Sequence, residues 1–292
     1  HEPEKFATFW TEFGRVLKEG IIEDSANRDR IAKLLRFAST AKENAEQTVS
    51  LADYVGRMKG GQETIYCLTA ESFPVAKNSP HLEVFRKHGV EVLLLTDRVD
   101  EWVVAHLTEF ERKKLVSAAQ GDLDTSKLGE GSTTVADALN ESNYHDLLAR
   151  LRHVLGDRTS NIRLSRRLTD SPACVVADAH GMSRHLERML HEAGQRIPAT
   201  KPILEINPDH PIIQRMKRET DETLFADWAQ ILFDQCLLAE GTALEDPAGF
   251  VKRLNTVTLA LAGASSSRIW TPGSLTRSGR SHNRGRPSRN NR

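Results

Sequence analysis

Near its end the chain carries two apolar stripes at helical spacing that are too wide to leave in water. Leu224, Trp228, Ile231, Gln235 and Leu238 fall at offsets of 0, 4, 7, 11 and 14, and Phe225 and Leu232 broaden the stripe. Phe250, Val251, Leu254, Val257 and Leu261 repeat the pattern in a following helix. Such a pair can cover its own sheet. It can also pair with its copy as a four-helix bundle, through the self-complementary contact that a two-fold dimer requires. Periodicity leaves both open.

Upstream, helix-like and strand-like stretches alternate. Phe6, Phe9, Trp10, Phe13 and Val16 stand at helical spacing, and Ile31, Leu34, Leu35 and Ala38 predict a second helix after Asp24-Ser25. A short helix is expected from Ser50-Leu51-Ala52-Asp53, and the β-branched and aromatic run 64–69 predicts a strand. Ser79 before Pro80 is a helix start, so 80–88 is expected to be helix, closed by Gly89. Val90 to Leu95 reads as a buried parallel strand, and 97–110 returns to helical spacing. This predicts a small α/β/α unit over 1–118, followed at 119–133 by a Gly-, Ser- and Thr-rich linker. A helix over about 136–155, strands near 162–168 and 173–177, a helix at 182–193 and a strand at 203–206 come next. Asn207-Pro208 is expected to start another helix, before the closing pair at about 221–240 and 247–261. The fold class is thus α/β, or α+β, with a mixed α/β second unit over 134–262 that ends in a helical hairpin.

Charge limits the partners. Lys+Arg and Asp+Glu number 40 each, but the last 29 residues hold seven arginines and no acid, which leaves 33 basic against 40 acidic residues in 1–263. An acidic body argues against a dedicated nucleic-acid binder. The Arg-, Ser- and Gly-rich tail at 263–292 is expected to be disordered. A basic-tailed dimeric nucleic-acid-binding scaffold is the alternative it allows. No apolar run approaches the ~18 residues of a membrane span, and the default compartment is the cytoplasm. The first residue is His1 with a helical pattern already under way, so the sequence is expected to be a piece of a longer protein.

Catalytic chemistry finds little support. Cys67, Cys174 and Cys236 are far apart among apolar neighbours, which fits neither a disulfide framework nor a zinc site. Cys174, Asp178 and His180 are close in sequence, but an apolar strand is where a structural cysteine sits. Gly129-Glu130-Gly131-Ser132 lacks the strand and helix that make a phosphate loop. His81, His88, His185 and His191 lack metal-ligand spacing. Two surfaces are more informative. Met182, His185, Leu186, Met189 and Leu190 share one helix face, and methionine suits a surface that adapts to many partners, although a core face has the same pattern. Trp102 beside Asp100-Glu101 is either a core anchor or an exposed aromatic that holds an apolar, basic segment.

The stretches Gly20-Ile-Ile-Glu-Asp-Ser-Ala-Asn-Arg28, Tyr54-Val-Gly-Arg-Met-Lys59, Asn78-Ser-Pro80, Val99-Asp-Glu101, Arg167-Leu-Thr-Asp-Ser-Pro-Ala-Cys174 and Ile203-Leu-Glu-Ile-Asn-Pro-Asp-His-Pro211 carry a resemblance. With Glu109-Phe110 and Lys114-Leu-Val-Ser117, they resemble the heat shock protein 90 chaperones of the bacterial HtpG type, in order across about 4–262. The tail resembles nothing in that family.

The resemblance implies the end of the middle domain at 1–118 and the C-terminal dimerisation domain at 134–262. It implies a homodimer whose bundle and underlying core contain Leu224, Trp228, Ile231, Leu232, Leu238, Phe250, Leu254, Val257 and Leu261. It also implies contacts with partly unfolded client proteins at Glu101, Trp102, Met182, Met189 and Leu190, and leaves room for co-chaperones. No membrane and no specific nucleic acid are expected as partners. The nucleotide-binding domain and the ATPase-assisting arginine are not in this stretch, so ATP and magnesium belong to the full-length parent, and no cofactor, metal or catalytic residue is expected here.

Overall fold

A computed structural model of the chain describes residues 2–121, 123, 128, 134–178, 182–195, 198 and 200–266. His180, the 129–132 turn, most of the linker and the tail beyond 266 lie outside them.

In the first unit, α1 (Pro3–Glu23), α2 (Arg28–Ala32) and β1 (Ala38–Ser39) lead to α3 (Leu51–Arg57) and β2 (Thr64–Thr69). There follow α4 (Phe73–Lys77), a 3-10 turn (Pro80–Leu82), α5 (Glu83–Lys87), β3 (Leu93–Leu95), α6 (Asp100–His106), β4 (Glu109–Phe110) and β5 (Lys113–Ser117). The sheet order is β1-β3-β2-β5-β4, with β2 parallel to both neighbours and the outer strands antiparallel. Alternation along β2 sends Ile65 and Cys67 into one core with Trp10, Leu35, Tyr54 and Val103, and Tyr66 and Leu68 into another with Leu82 and Phe85. Helices therefore cover both sheet faces, the three-layer arrangement the alternation predicts.

The second unit holds α7 (Thr134–Leu155), β6 (Asn161–Leu164), β7 (Ala173–Val176), α8 (Arg184–Glu192), β8 (Ile203–Ile206), α9 (Pro211–Lys217), α10 (Glu222–Ala239) and α11 (Pro247–Ser266). Its sheet is β6-β8-β7, with β8 parallel to β6 and antiparallel to β7. One face, carrying Ile162, Val175, Leu204 and Ile206, packs under α7, α9 and α10. The other carries Glu205 and meets the first unit.

Several expectations change. Ala38 pairs with Leu94 as a short edge strand instead of extending a helix. Asn207-Pro208 forms a turn, in which the Asn207 amide donates to the Ser171 carbonyl, and α9 waits for His210 to cap it. A β4–β5 hairpin replaces the end of the helix expected to 110. The linker is anchored at its start: Ala118 is buried, its N–H donates to the Cys67 carbonyl, and Gly121 N–H donates to the Ala177 carbonyl. Helix α11 runs to Ser266, past the point where the tail was expected to begin.

Candidate interaction surfaces

Helix α10 covers its own sheet with one of its faces. Phe225, Ala229, Leu232, Phe233, Cys236 and Leu237 are buried in the second unit's own core, with Trp228 partly buried against it. Of the stripe first read from spacing, Ile231 and Leu232 are buried, Leu224 and Trp228 are half-buried, and Leu238 is exposed. Helix α11 is different. Val257 is its one buried side chain among those described, while Val251 (52%), Leu254 (38%), Leu259 (73%) and Leu261 (38%) are exposed and Phe250 is half-covered. An ion triad holds the hairpin together: Asp234 on α10 accepts from Arg158 at 2.7 Å and from Arg253 of α11 at 3.1 Å.

Polar groups join the two units. The Glu83 carboxylate, buried at the start of α5, accepts backbone N–H bonds from Thr169 (2.6 Å), Asp170 (2.8 Å) and Ser171 (3.0 Å). Burial alone would raise its pKa; the hydrogen bonds from Ser171, Asp170 and Thr169 together outweigh that and hold it below the ordinary glutamate value. In return, buried Arg167 donates to the carbonyls of Ala118 and Gln120, both at 2.7 Å, and to Glu205 at 3.0 Å. Arg163 and Ser165 also donate to Glu205. Sequence reading missed all three. The usable signal was a lone charge inside the apolar strand Ile203-Leu-Glu-Ile, which has to find a partner when buried.

Of the candidate client residues, Glu101 and Met182 come together at this junction. Glu101 is 5% exposed, and its Oε2 accepts from the Ser183 hydroxyl at 2.7 Å, while that same Ser183 oxygen caps α8 by accepting from Leu186 N–H. Met182, just before α8, is 38% exposed. Trp102 and Leu190 are half-buried. Met189 is 6% exposed, so for this methionine the core alternative holds. Nor does α8 divide into the polar and apolar faces its spacing suggests. Glu187 is buried and accepts from Thr200 N–H at 2.7 Å. Burial pushes His185 below the ordinary imidazole range, with Glu101 opposing and Arg188 reinforcing the shift.

The cysteines sit in the interior. All three cysteines are buried and free. Burial pushes the Cys67 thiol up to about 12 and the Cys174 and Cys236 thiols up as well, away from reactive thiolate. Among the described residues no group of three or more His, Cys, Asp or Glu side chains is placed to hold a metal ion. None of their helices is long and apolar enough to cross a membrane.

Residues 1–276 match the family model described as Hsp90 protein, a span that continues past residue 262. The chain is 57% identical over 262 residues to the chaperone protein HtpG of Nitrosococcus oceani, covering 90% of this chain and 41% of the relative. To the HtpG of Aromatoleum aromaticum it is 56% identical over 264 residues, with 90% and 40% covered. To that of Nitrosospira multiformis it is 57% identical over 256 residues, with 88% and 40% covered. The chain thus spans about two fifths of the length of these curated relatives. It belongs to the Hsp90 family of chaperones.

Proposed function

We propose that this chain is a dimerising, client-holding part of an Hsp90-type chaperone. Two copies pair through α10 and α11 into a four-helix bundle, and the pairing sets two weak client surfaces in one cleft. Partly unfolded proteins then bind by avidity, since the second contact is made at high effective concentration. The observation that carries this reading is the uncovered apolar surface of α11, where Val251, Leu254, Leu259 and Leu261 stand in water. Burying such a side chain contributes roughly 1.5–3 kcal/mol, so a partner helix has several to gain.

The client surface consists of Met182, Trp102, Glu101 and Leu190, with Met189 buried. In the complete protein, closure driven by ATP would reshape the cleft, in the cytoplasm, where buried free thiols such as these three stay reduced. ATP and magnesium belong in this reading to the full-length parent and not to this stretch. In this reading the stretch binds clients without hydrolysing nucleotide.

Sedimentation velocity over a concentration series tests the dimer. The chain is expected to dimerise, and a Leu254→Glu, Leu261→Glu variant, altered only at exposed positions, is expected to be a folded monomer. A parent that stays monomeric at high concentration, or a variant that dimerises equally well, would overturn the bundle. Titration of a partly unfolded client against Met182→Glu tests the other surface, with weaker binding by an intact dimer expected.

A further inference from the structure

Between the two units lies a cavity of about 330 Å³, at the small end of the range for binding pockets. Leu68, Val75, Leu115 and Leu186 give it apolar walls. Ala105, Asp178, Met182 and Ala239 line it and are exposed, which puts its opening among them and next to the client surface proposed above.

Two polar groups on its wall stand out. His81 and Glu101 both line the cavity and are at least nine-tenths buried, yet His81 Nδ1 and Glu101 Oε1 have no hydrogen-bond partner. Each such atom has given up water without gaining a hydrogen bond in return. His81 Nε2 lies 3.2 Å from Glu240 Oε1, so in the neutral ring the Nε2 proton goes to that carboxylate and Nδ1 is left as an acceptor. Both open positions therefore call for a donor. Charge points the same way: Glu101 lines the cavity with Arg188, whose guanidinium already pairs with Glu71 at 3.3 Å.

A donor-only group on an apolar stem fits this place. The lysine ammonium has three donors and no acceptor, and its four-carbon stem can lie along the apolar walls. Arginine fits less well. A guanidinium fork is best met by both oxygens of one carboxylate, and Glu101 already gives Oε2 to Ser183. We propose that the cavity is a recognition pocket for a lysine side chain of an apolar client segment, its ammonium bound by Glu101 Oε1 and His81 Nδ1. This rests on the client reading above and names the side chain that reading leaves open.

The probes are three fluorescein-labelled peptides, Leu-Ala-Leu-X-Leu-Ala-Leu with lysine, norleucine or glutamate at X, titrated against the full chain. The lysine peptide is expected to bind roughly tenfold more tightly than the norleucine peptide, a gap of about 1.4 kcal/mol, with the glutamate peptide weakest. In a chain labelled with [13C]methyl-methionine, it should shift the Met182 resonance and leave Met58 and Met216 unmoved. Glu101→Gln should bring the lysine-to-norleucine ratio close to one. Because that variant also touches Ser183, Ala105→Phe at the exposed rim provides a second test, narrowing the opening and lowering the same ratio.

Equal binding of the lysine and norleucine peptides, both sensitive to Met182→Glu, would overturn the pocket and leave the client surface standing. Failure of all three peptides, with a partly unfolded client indifferent to Met182→Glu, would overturn both. Competition by free n-butylammonium at the peptide's own concentration would reassign the cavity to a small amine and also overturn the proposal.

Discussion

The junction between the two units and the terminal hairpin solve opposite problems. At the junction, charges are buried inside one protomer and almost fully partnered: Glu83 by three backbone N–H groups, Glu205 by Arg163, Arg167 and Ser165. On α11, apolar side chains stand in water with one buried residue beneath them. Directional bonds fix geometry, because a buried polar group is satisfied in few arrangements. Apolar surface is non-directional and is satisfied by whatever covers it. The first region is satisfied within the chain, and the second leaves apolar side chains that the chain itself does not cover.

Removing a junction cation is expected to have the largest effect. Arg167→Ala strips Glu205 of its most buried partner and leaves the Ala118 and Gln120 carbonyls short of a donor. A loss of about 3–5 kcal/mol is expected from breaking a buried pair, measured by urea unfolding. If the loss were under ~1 kcal/mol, the usual worth of an exposed pair, the junction would be no firmer than a surface contact and the contrast with α11 would fail.

Glu83→Gln should cost less, about 1–3 kcal/mol, because the amide oxygen can keep part of the backbone nest. Here pH sharpens the test. The Glu83 carboxyl titrates below its ordinary value in the folded chain, so the unfolded chain takes up its proton first as pH falls. Its contribution is full above the unfolded pKa of ~4.3 and is lost as pH falls through the lower folded value. Unfolding free energies of the two proteins should differ by a constant amount near neutrality and converge in acid. A gap that persists unchanged into strong acid would mean that the charge is not what binds the 169–171 loop.

Local signals were readable where a residue's role is set by its sequence neighbours. The run 64–69 forms β2 at those bounds, 203–206 forms β8, and Ser79 accepts from His81 N–H at the helix start it marked. The β4–β5 hairpin escaped because Glu111 and Arg112 turn it at φ of 48° and 62° without a glycine to announce the bend. Ala38 escaped because a strand of two residues has no period to read. The junction escaped for a different reason. Glu83 meets partners up to 88 positions away, and periodicity carries no information at that range. On the surfaces, spacing located the α11 stripe and Met182, but it could not separate Met189, which the fold buries, from its exposed neighbour.

The smallest predicted effect is also the control for the whole contrast. Ser50 and Asp53 form a reciprocal cap at the start of α3, with Ser50 Oγ accepting from Asp53 N–H at 3.0 Å and the Asp53 carboxylate accepting from Ser50 N–H at 3.1 Å. Ser50→Ala removes one half of that box and should cost ~1 kcal/mol. The cap packs within the first unit and touches neither the 169–171 loop nor α11. Its loss should lower the urea midpoint while leaving both the chain's sedimentation behaviour and the Glu83→Gln increment unchanged, since separated sites add. A Ser50→Ala chain whose dimer dissociated more readily, or in which Glu83→Gln cost visibly more, would show that the two regions are coupled through the first unit, and the division between an internally satisfied junction and a hairpin open to a partner would have to be given up.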